Sequence, residues 1–197
     1  MIKSSWDLPL AKRPCIIIDN GSYECRAGWS TMTAPYLRFK NQISKPKTLT
    51  NREVDAMHIV GDEFSYFDAS KLNKKSMFDK DILTNQSLEE HVLDYCFSHL
   101  GINEDIQNSV VMTEALCNPN SCRAQTSELM FECYGVPQVA YAVDSICGAF
   151  SSGKIENSLI INSSFQSTHI IPILGGKIDL AHTKRIPVGG YHHSDLL

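Results

Sequence analysis

The run Cys15-Ile16-Ile17-Ile18 stops abruptly at Asp19-Asn20-Gly21-Ser22, and this junction limits the fold more than any other part of the chain. A short β-branched run closed by turn residues reads as a buried strand. A second run, about Glu24 to Trp29, predicts the returning strand of a hairpin. The same order of strand, tight turn and strand restarts later, as Ser158 to Ile161, Asn162 to Ser167 and Thr168 to Leu174. Few residues match between the two units, so the repeat is one of architecture. It predicts two related half-domains facing each other across an α/β stretch.

The stretch between them supplies helices and strands in alternation. Ser87-Leu88-Glu89-Glu90 fits a capping box, with Ser87 as the cap and Glu90 reaching back to it. Leu88, Val92, Tyr95, Cys96 and His99 follow at helical spacing and predict one buried face, ended by Gly101. Val110-Val111-Met112 reads as a buried strand, Arg123 to Tyr134 as a helix closed by Gly135 and Pro137, and Val139 to Val143 as another strand. Asp144 to Phe150 begins a further helix, and Ser151-Ser152-Gly153-Lys154 marks a domain boundary. Residues 1–14, polar and holding Pro9 and Pro14, predict a loose lead-in. Phe39 to Gly61, broken by Pro46, predicts short strands and exposed loops.

Hydrophobic residues make up 43% of the 197, which is enough for a core. A net charge of -4 gives no general attraction to phosphate backbones, so any nucleic-acid contact is expected to be local or supplied by partners. Lys71, Lys74 and Lys75 form a small basic cluster, read as a solvated loop. The seven cysteines (Cys15, Cys25, Cys96, Cys117, Cys122, Cys133 and Cys147) include no C-x-x-C pair and no spacing that completes a metal site. They are expected to be reduced thiols. The N-terminus lacks the apolar core of a signal peptide, and no apolar run reaches the length of a membrane span. A soluble, intracellular protein is the expectation.

Asp19, Asn20, Gly21 and Ser22 carry the chemistry to be weighed. A buried strand delivers a carboxylate into a tight turn, where backbone N–H groups can surround a phosphate. Asp19 has the oxygen ligands that hydrated Mg²⁺ prefers, and Arg26, one strand later, offers a cation to phosphates. Composition alone favours the plainer reading, because Asn-Gly is the commonest two-residue hairpin turn.

Asp19-Asn20-Gly21-Ser22, followed by Cys25-Arg26-Ala27-Gly28-Trp29, resembles the first phosphate loop of the actin family. Val60-Gly61-Asp62-Glu63, Thr113-Glu114-Ala115, Asn118-Pro119 and Met130-Phe131-Glu132 are similar to actin in the same order and at similar spacing. The likeness runs from about Cys15 to Leu197. Other segments, including His99-Leu100-Gly101, Phe131 to Pro137, Val143-Asp144-Ser145 and Lys184-Arg185-Ile186, resemble a nuclear actin-related branch of the family.

The resemblance implies an α/β actin-like ATPase-domain fold, with ribonuclease-H-like mixed sheets and flanking helices. Residues 15–150 would be the first large domain, with a small inserted subdomain at about 36–70. Residues 151–197 would open a second, incomplete domain. By the same likeness the protein would be a nuclear subunit of the INO-eighty chromatin-remodelling complex, acting in transcription regulation and DNA repair. Its partners would be a motor subunit, a small partner subunit and, through the assembly, the nucleosome. Filament formation and membrane contact are not expected.

Departures from the family pattern weaken the enzyme reading. Where actins present Asp, Ser, Gly, Asp, Gly in the second loop, this chain has Asn162, Ser163, Ser164, Phe165 and Gln166. Asn162 lacks the metal-holding charge, and side chains replace glycines that permit close approach to phosphate. Asp144 stands where actins carry a water-positioning glutamine, and reads as a helix N-cap. His169 matches the histidine of the actin hydrolytic site, and reads as a satisfied structural residue. No catalytic or metal residue is therefore expected, since phosphoryl transfer depends on positioning and electrostatics. Asp19, Asn20, Gly21, Ser22 and Arg26 remain as a possible phosphate loop. No cofactor is required on this reading, and ATP is possible only in a full-length parent that completes the pocket. The chain alone is expected to bind ATP poorly and to be marginally stable, with Ile170-Ile171-Pro172-Ile173-Leu174 exposing a face and an edge.

Overall fold

Ile16 and Ile18 are completely buried while Ile17, between them, is 40% exposed. Such alternation marks a strand whose two faces meet different surroundings. The computed structural model describes residues 13–47, 58–61, 63, 68–102, 105–153 and 155–194. The lead-in up to residue 12, Asp62 and Lys154 lie outside the described residues.

Strands β1 (Ile16–Asn20), β2 (Glu24–Trp29) and β3 (Leu37–Lys40) form an antiparallel meander. Next come β4 (Ile43–Pro46), β5 (Ile59–Val60) and β6 (Leu72–Lys75), a separate small sheet with β4 at its centre. β7 (Phe78–Asp79) and β8 (Ile82–Leu83) pair as a short hairpin. Helix α1 (Gln86–His99) leads to β9 (Val110–Glu114). Helix α2 (Asn120–Glu128) runs into a π-helical turn over Leu129–Cys133, and β10 (Val139–Val143) follows. After α3 (Asp144–Ser151), strands β11 (Ser158–Ser163) and β12 (Thr168–Leu174) make the second long hairpin. The short strands β13 (Lys177–Ile178) and β14 (Lys184–Ile186) both pair with β12, and α4 (Gly190–Ser194) ends the described residues. None of the described helices is long and apolar enough to cross a membrane.

The main sheet has the order β10-β9-β1-β2-β3, with β1, β9 and β10 parallel. One face is the core, where Ile16, Ile18, Ala27, Val110 and Met112 pack with Val92, Leu93 and Cys96 of α1. The other face points into an open cleft. Alternate residues of the parallel strands line it: Ile17 and Asp19, Val111 and Thr113, Ala142 and then Asp144. The carboxyl ends of parallel strands thus deliver polar groups to one rim, the usual place for a ligand in an open α/β sheet.

Three local expectations need correction. The cap of α1 is Asn85, whose side chain accepts from the Leu88 N–H, while Ser87 sits inside the helix and donates to Asn85 Oδ1 at 2.8 Å. An Asn oxygen two residues upstream captures the orphan amide first, so the helix starts earlier than the box implied. The helix expected from Arg123 begins at Asn120 and changes to π-helical turns at Leu129. Finally, β12 is not an exposed edge, because β11 lies on one side and β13 and β14 on the other. Ile171 and Ile173 are buried, while Leu159 and Ile161 of β11, Leu174 at the end of β12 and Ile186 of β14 are among the exposed apolar residues.

Candidate functional site: a cleft between two hairpin tips

The cleft encloses about 1180 Å³ between the turn of β1–β2, the start of α3 and the turn of β11–β12. That volume lies somewhat above the usual small-molecule range of roughly 300–1,000 Å³. Three carboxylates (Asp19, Glu24, Asp144) and two guanidiniums (Arg26, Arg38) are among its lining residues.

Strand pairing explains the first loop. Asp19 stands opposite Arg26 in the β1–β2 ladder, and Arg26 reaches Asp19 Oδ2 at 3.2 Å and Glu24 Oε1 at 2.6 Å. Arg38 donates to Glu24 Oε2 at 2.7 Å. Those bonds, first from Arg38 and then from Arg26, hold the Glu24 carboxyl below its ordinary range. Thr113 donates to Asp19 Oδ1 at 2.7 Å and accepts from the Asn20 N–H at 3.1 Å, fastening the strand end to β9. Arg26 and Arg38 therefore already have carboxylate partners, and an incoming phosphate must compete for them.

Asn20 does not face the cleft. Its amide donates to Glu89 Oε1 at 2.8 Å, and its oxygen accepts from Asn41, which also donates to the Gly21 carbonyl. Glu89 is fully buried on α1, its Oε2 has no hydrogen-bond partner, and burial pushes its pKa up to about 8. A carboxyl taken from water without full compensation favours its neutral form. Sequence reading placed Glu89 in the capping box and missed this role. Its position one residue after Leu88, on the buried side of α1, was the available signal. Beside it Cys25 and Cys96 lie with sulfurs 3.9 Å apart, and all seven cysteines are free thiols. The hydrogen bond with Cys96, and then burial, raise the Cys25 pKa.

Gly21 leaves no space for a side chain, since a Cβ would lie 2.8 Å from the Glu24 carbonyl oxygen. Ser22 is 8% exposed and donates its hydroxyl proton to Asp81 Oδ1, at the tip of the β7–β8 hairpin. Neither Asp81 nor that short hairpin figured in the sequence reading of the site.

The second loop is held on both sides. Its Ser164 and Phe165 carbonyls accept from the N–H groups of Gly190 and Tyr191 at 2.9 and 2.7 Å. Gly189 sits so near that a Cβ there would lie 2.5 Å from the Ser164 oxygen. The Phe165 ring packs against Tyr23 of the first loop, centroids 4.8 Å apart, and against Tyr191 at 5.8 Å. Between Asn162 and Gln166 the second loop carries no carboxylate and no glycine, so its residues do not fit a metal–triphosphate group.

Asp144 and His169 also depart from expectation. Asp144 is the first residue of α3 rather than its cap. Val143 holds the cap position, and the Asp144 carboxylate accepts from the Ser145 N–H. Burial raises its pKa, and Asn162 donates to it across the cleft at 3.4 Å. His169 is 3% exposed, and its Nε2 has no hydrogen-bond partner, so it is buried but not satisfied. Burial, and then the nearby Arg185 charge, lower its pKa. It stands beside Asn162 in the β11–β12 register.

Comparison with known proteins gives a consistent result. The family model described as Actin matches residues 11–197. The chain is 38% identical to Actin-related protein 5 of Drosophila melanogaster over 93% of its own length and 31% of that protein's. It is 40% identical to the protein of the same name from Dictyostelium discoideum, over 92% and 26%. For the Homo sapiens protein the identity is 37%, over 92% and 32%. The chain thus spans between a quarter and a third of the length of these curated relatives.

Proposed function

Because the chain belongs to the actin family, we propose that it serves as a non-catalytic structural part of a nuclear ATP-dependent chromatin-remodelling complex of the INO-eighty type. In that role it docks a motor subunit and a small partner subunit, contacts the nucleosome through the assembly, and contributes to transcription regulation and DNA repair. Its likeness to Actin-related protein 5 along nearly its whole length supports the assignment.

The contact of Phe165 with Tyr23 is the observation that carries the non-catalytic reading. Hydrolysis of a triphosphate needs charge and donors preorganised around the transferring group. Here an aromatic contact joins the loop tips, an uncharged Asn162 stands in the second loop, and Arg26 is engaged by Asp19 and Glu24. The test is affinity purification of the full-length protein from nuclear extract. Recovery of a remodelling motor subunit with nucleosomes is the expected result, and its absence from the eluate would sink the assignment.

A second reading, an actin-superfamily nucleotide-binding protein with weak ATPase activity, is favoured by the size of the cleft. Calorimetry with Mg-ATP separates the two, since low-micromolar affinity together with measurable turnover belongs to the second. A divergent cytoskeletal actin would instead give a large ATP-dependent pellet after salt addition.

A further inference from the structure

Asp81 is the meeting point of both loops. Its Oδ1 accepts from the Ser22 hydroxyl in the first loop and from the Gln166 N–H in the second, the latter at 3.2 Å. Its Oδ2 accepts from the Ser167 hydroxyl at 2.6 Å, and its own N–H donates to Gln166 Oε1 at 2.9 Å. Ser167 is fully buried and Ser22 nearly so. Three donors from segments far apart in sequence thus converge on one carboxylate, the arrangement that binds small oxyanions.

Local backbone geometry aims that carboxylate. Lys80 and Asp81 both have positive φ, 50° and 59°, as a two-residue turn between β7 and β8 demands. Glycine fits the second turn position with less strain. Aspartate there keeps the turn and adds a charge reaching toward both hairpin tips.

We propose that Ser22, Gln166 and Ser167 form an anion-binding cradle that the chain fills from within, with the Asp81 carboxylate, so that the two loops are tied together without any phosphate. The inference rests on the non-catalytic reading of the cleft and extends it, because a carboxylate built into the chain makes the joined state independent of nucleotide. Ser22 has its one hydroxyl proton committed to Asp81.

Amide hydrogen exchange and chemical rescue test this on the whole protein. In Asp81→Ala, exchange at residues 21–23 and 164–167 is expected to rise about tenfold, while β1 and β9 amides keep their rates. Formate, acetate or inorganic phosphate should then restore slow exchange in the variant and leave the parent unchanged. Asp81→Asn, which keeps the shape and loses the charge, should fall between the two and covers the case in which the alanine variant does not fold. Unchanged loop exchange, a rise shared equally by β1 and β9, or failure of all three anions to rescue would overturn the proposal. Slowing of the parent's loop exchange by Mg-ATP would do so as well. ATP turnover with rescue intact would instead count against the non-catalytic reading and spare the cradle.

Discussion

The ring of Tyr23, in the turn of the first hairpin, lies 4.8 Å from that of Phe165 in the turn of the second, their planes tilted by 46°. Each residue stands within a hairpin turn, and together they join the two turns by an apolar contact. Tilted aromatic pairs contribute about 1 kcal/mol beyond the area they bury. A double-mutant cycle with Tyr23→Ala and Phe165→Ala should therefore give a coupling free energy of ~1 kcal/mol in denaturant melts. A coupling near zero would mean that the two loops are joined through Asp81 alone.

Glu89 predicts an unusual dependence of stability on pH. The carboxyl titrates near its ordinary value of 4.5 when unfolded and near 8 in the folded protein. Between those values the folded state binds the extra proton, so stability falls as pH rises through this window and levels off above it. Glu89→Gln keeps an acceptor for the Asn20 amide and carries no charge. It should melt at a higher temperature than the parent at pH 9 and lose that advantage by about pH 5. A constant difference across the range would refute the assignment.

Gly61 and Gly135 separate backbone strain from steric exclusion. Both have φ near +60°, yet a Cβ at Gly61 would lie 2.5 Å from the Tyr95 ring, whereas one at Gly135 meets nothing within 4 Å. Tyr95 is itself held between Phe39 and His99, with ring centroids 4.8 and 4.0 Å away. Gly135→Ala should cost about 1 kcal/mol from the left-handed conformation alone. Gly61→Ala adds overpacking and should cost roughly 2–4 kcal/mol in all, read from urea midpoints. Equal losses would show that Tyr95 moves aside freely.

Glu24 holds both arginines of the cleft. Its ion pairs are solvent-facing on the arginine side, so Glu24→Gln should change stability by less than ~1 kcal/mol. Freed guanidiniums should bind pyrophosphate several-fold more tightly, measured by calorimetry at low and moderate salt. Unchanged affinity would indicate that Asp19 retains Arg26 and that Arg38 points away from the anion.

Strand positions were readable from the residues because alternation and turn chemistry are local. Glu24–Trp29 and Val139–Val143 fall at the residues their sequence indicates. Ends of helices were less legible. Asn85 and Ser87 both qualify as caps, and only the folded backbone decides which oxygen meets the Leu88 amide. The first loop was found as a loop, but its side chains could not be assigned directions. Asn20 turns inward because Glu89 and Asn41 await it there, and Arg26 turns back because the ladder puts it opposite Asp19.

Sequence alone determined the alternation of strands and turns, the two hairpins and membership of the actin family, since each depends on neighbouring residues or on ordered motifs along the chain. Tertiary structure decided which groups meet. Ser22 and Asp81 are 59 positions apart, Asp81 and Ser167 are 86 apart, and Asn20 and Glu89 are 69 apart. No local pattern encodes such pairs. They arise because burying Ile16, Ile18 and α1 in one core brings distant turns together, where unpaired polar groups must find one another or stay unsatisfied.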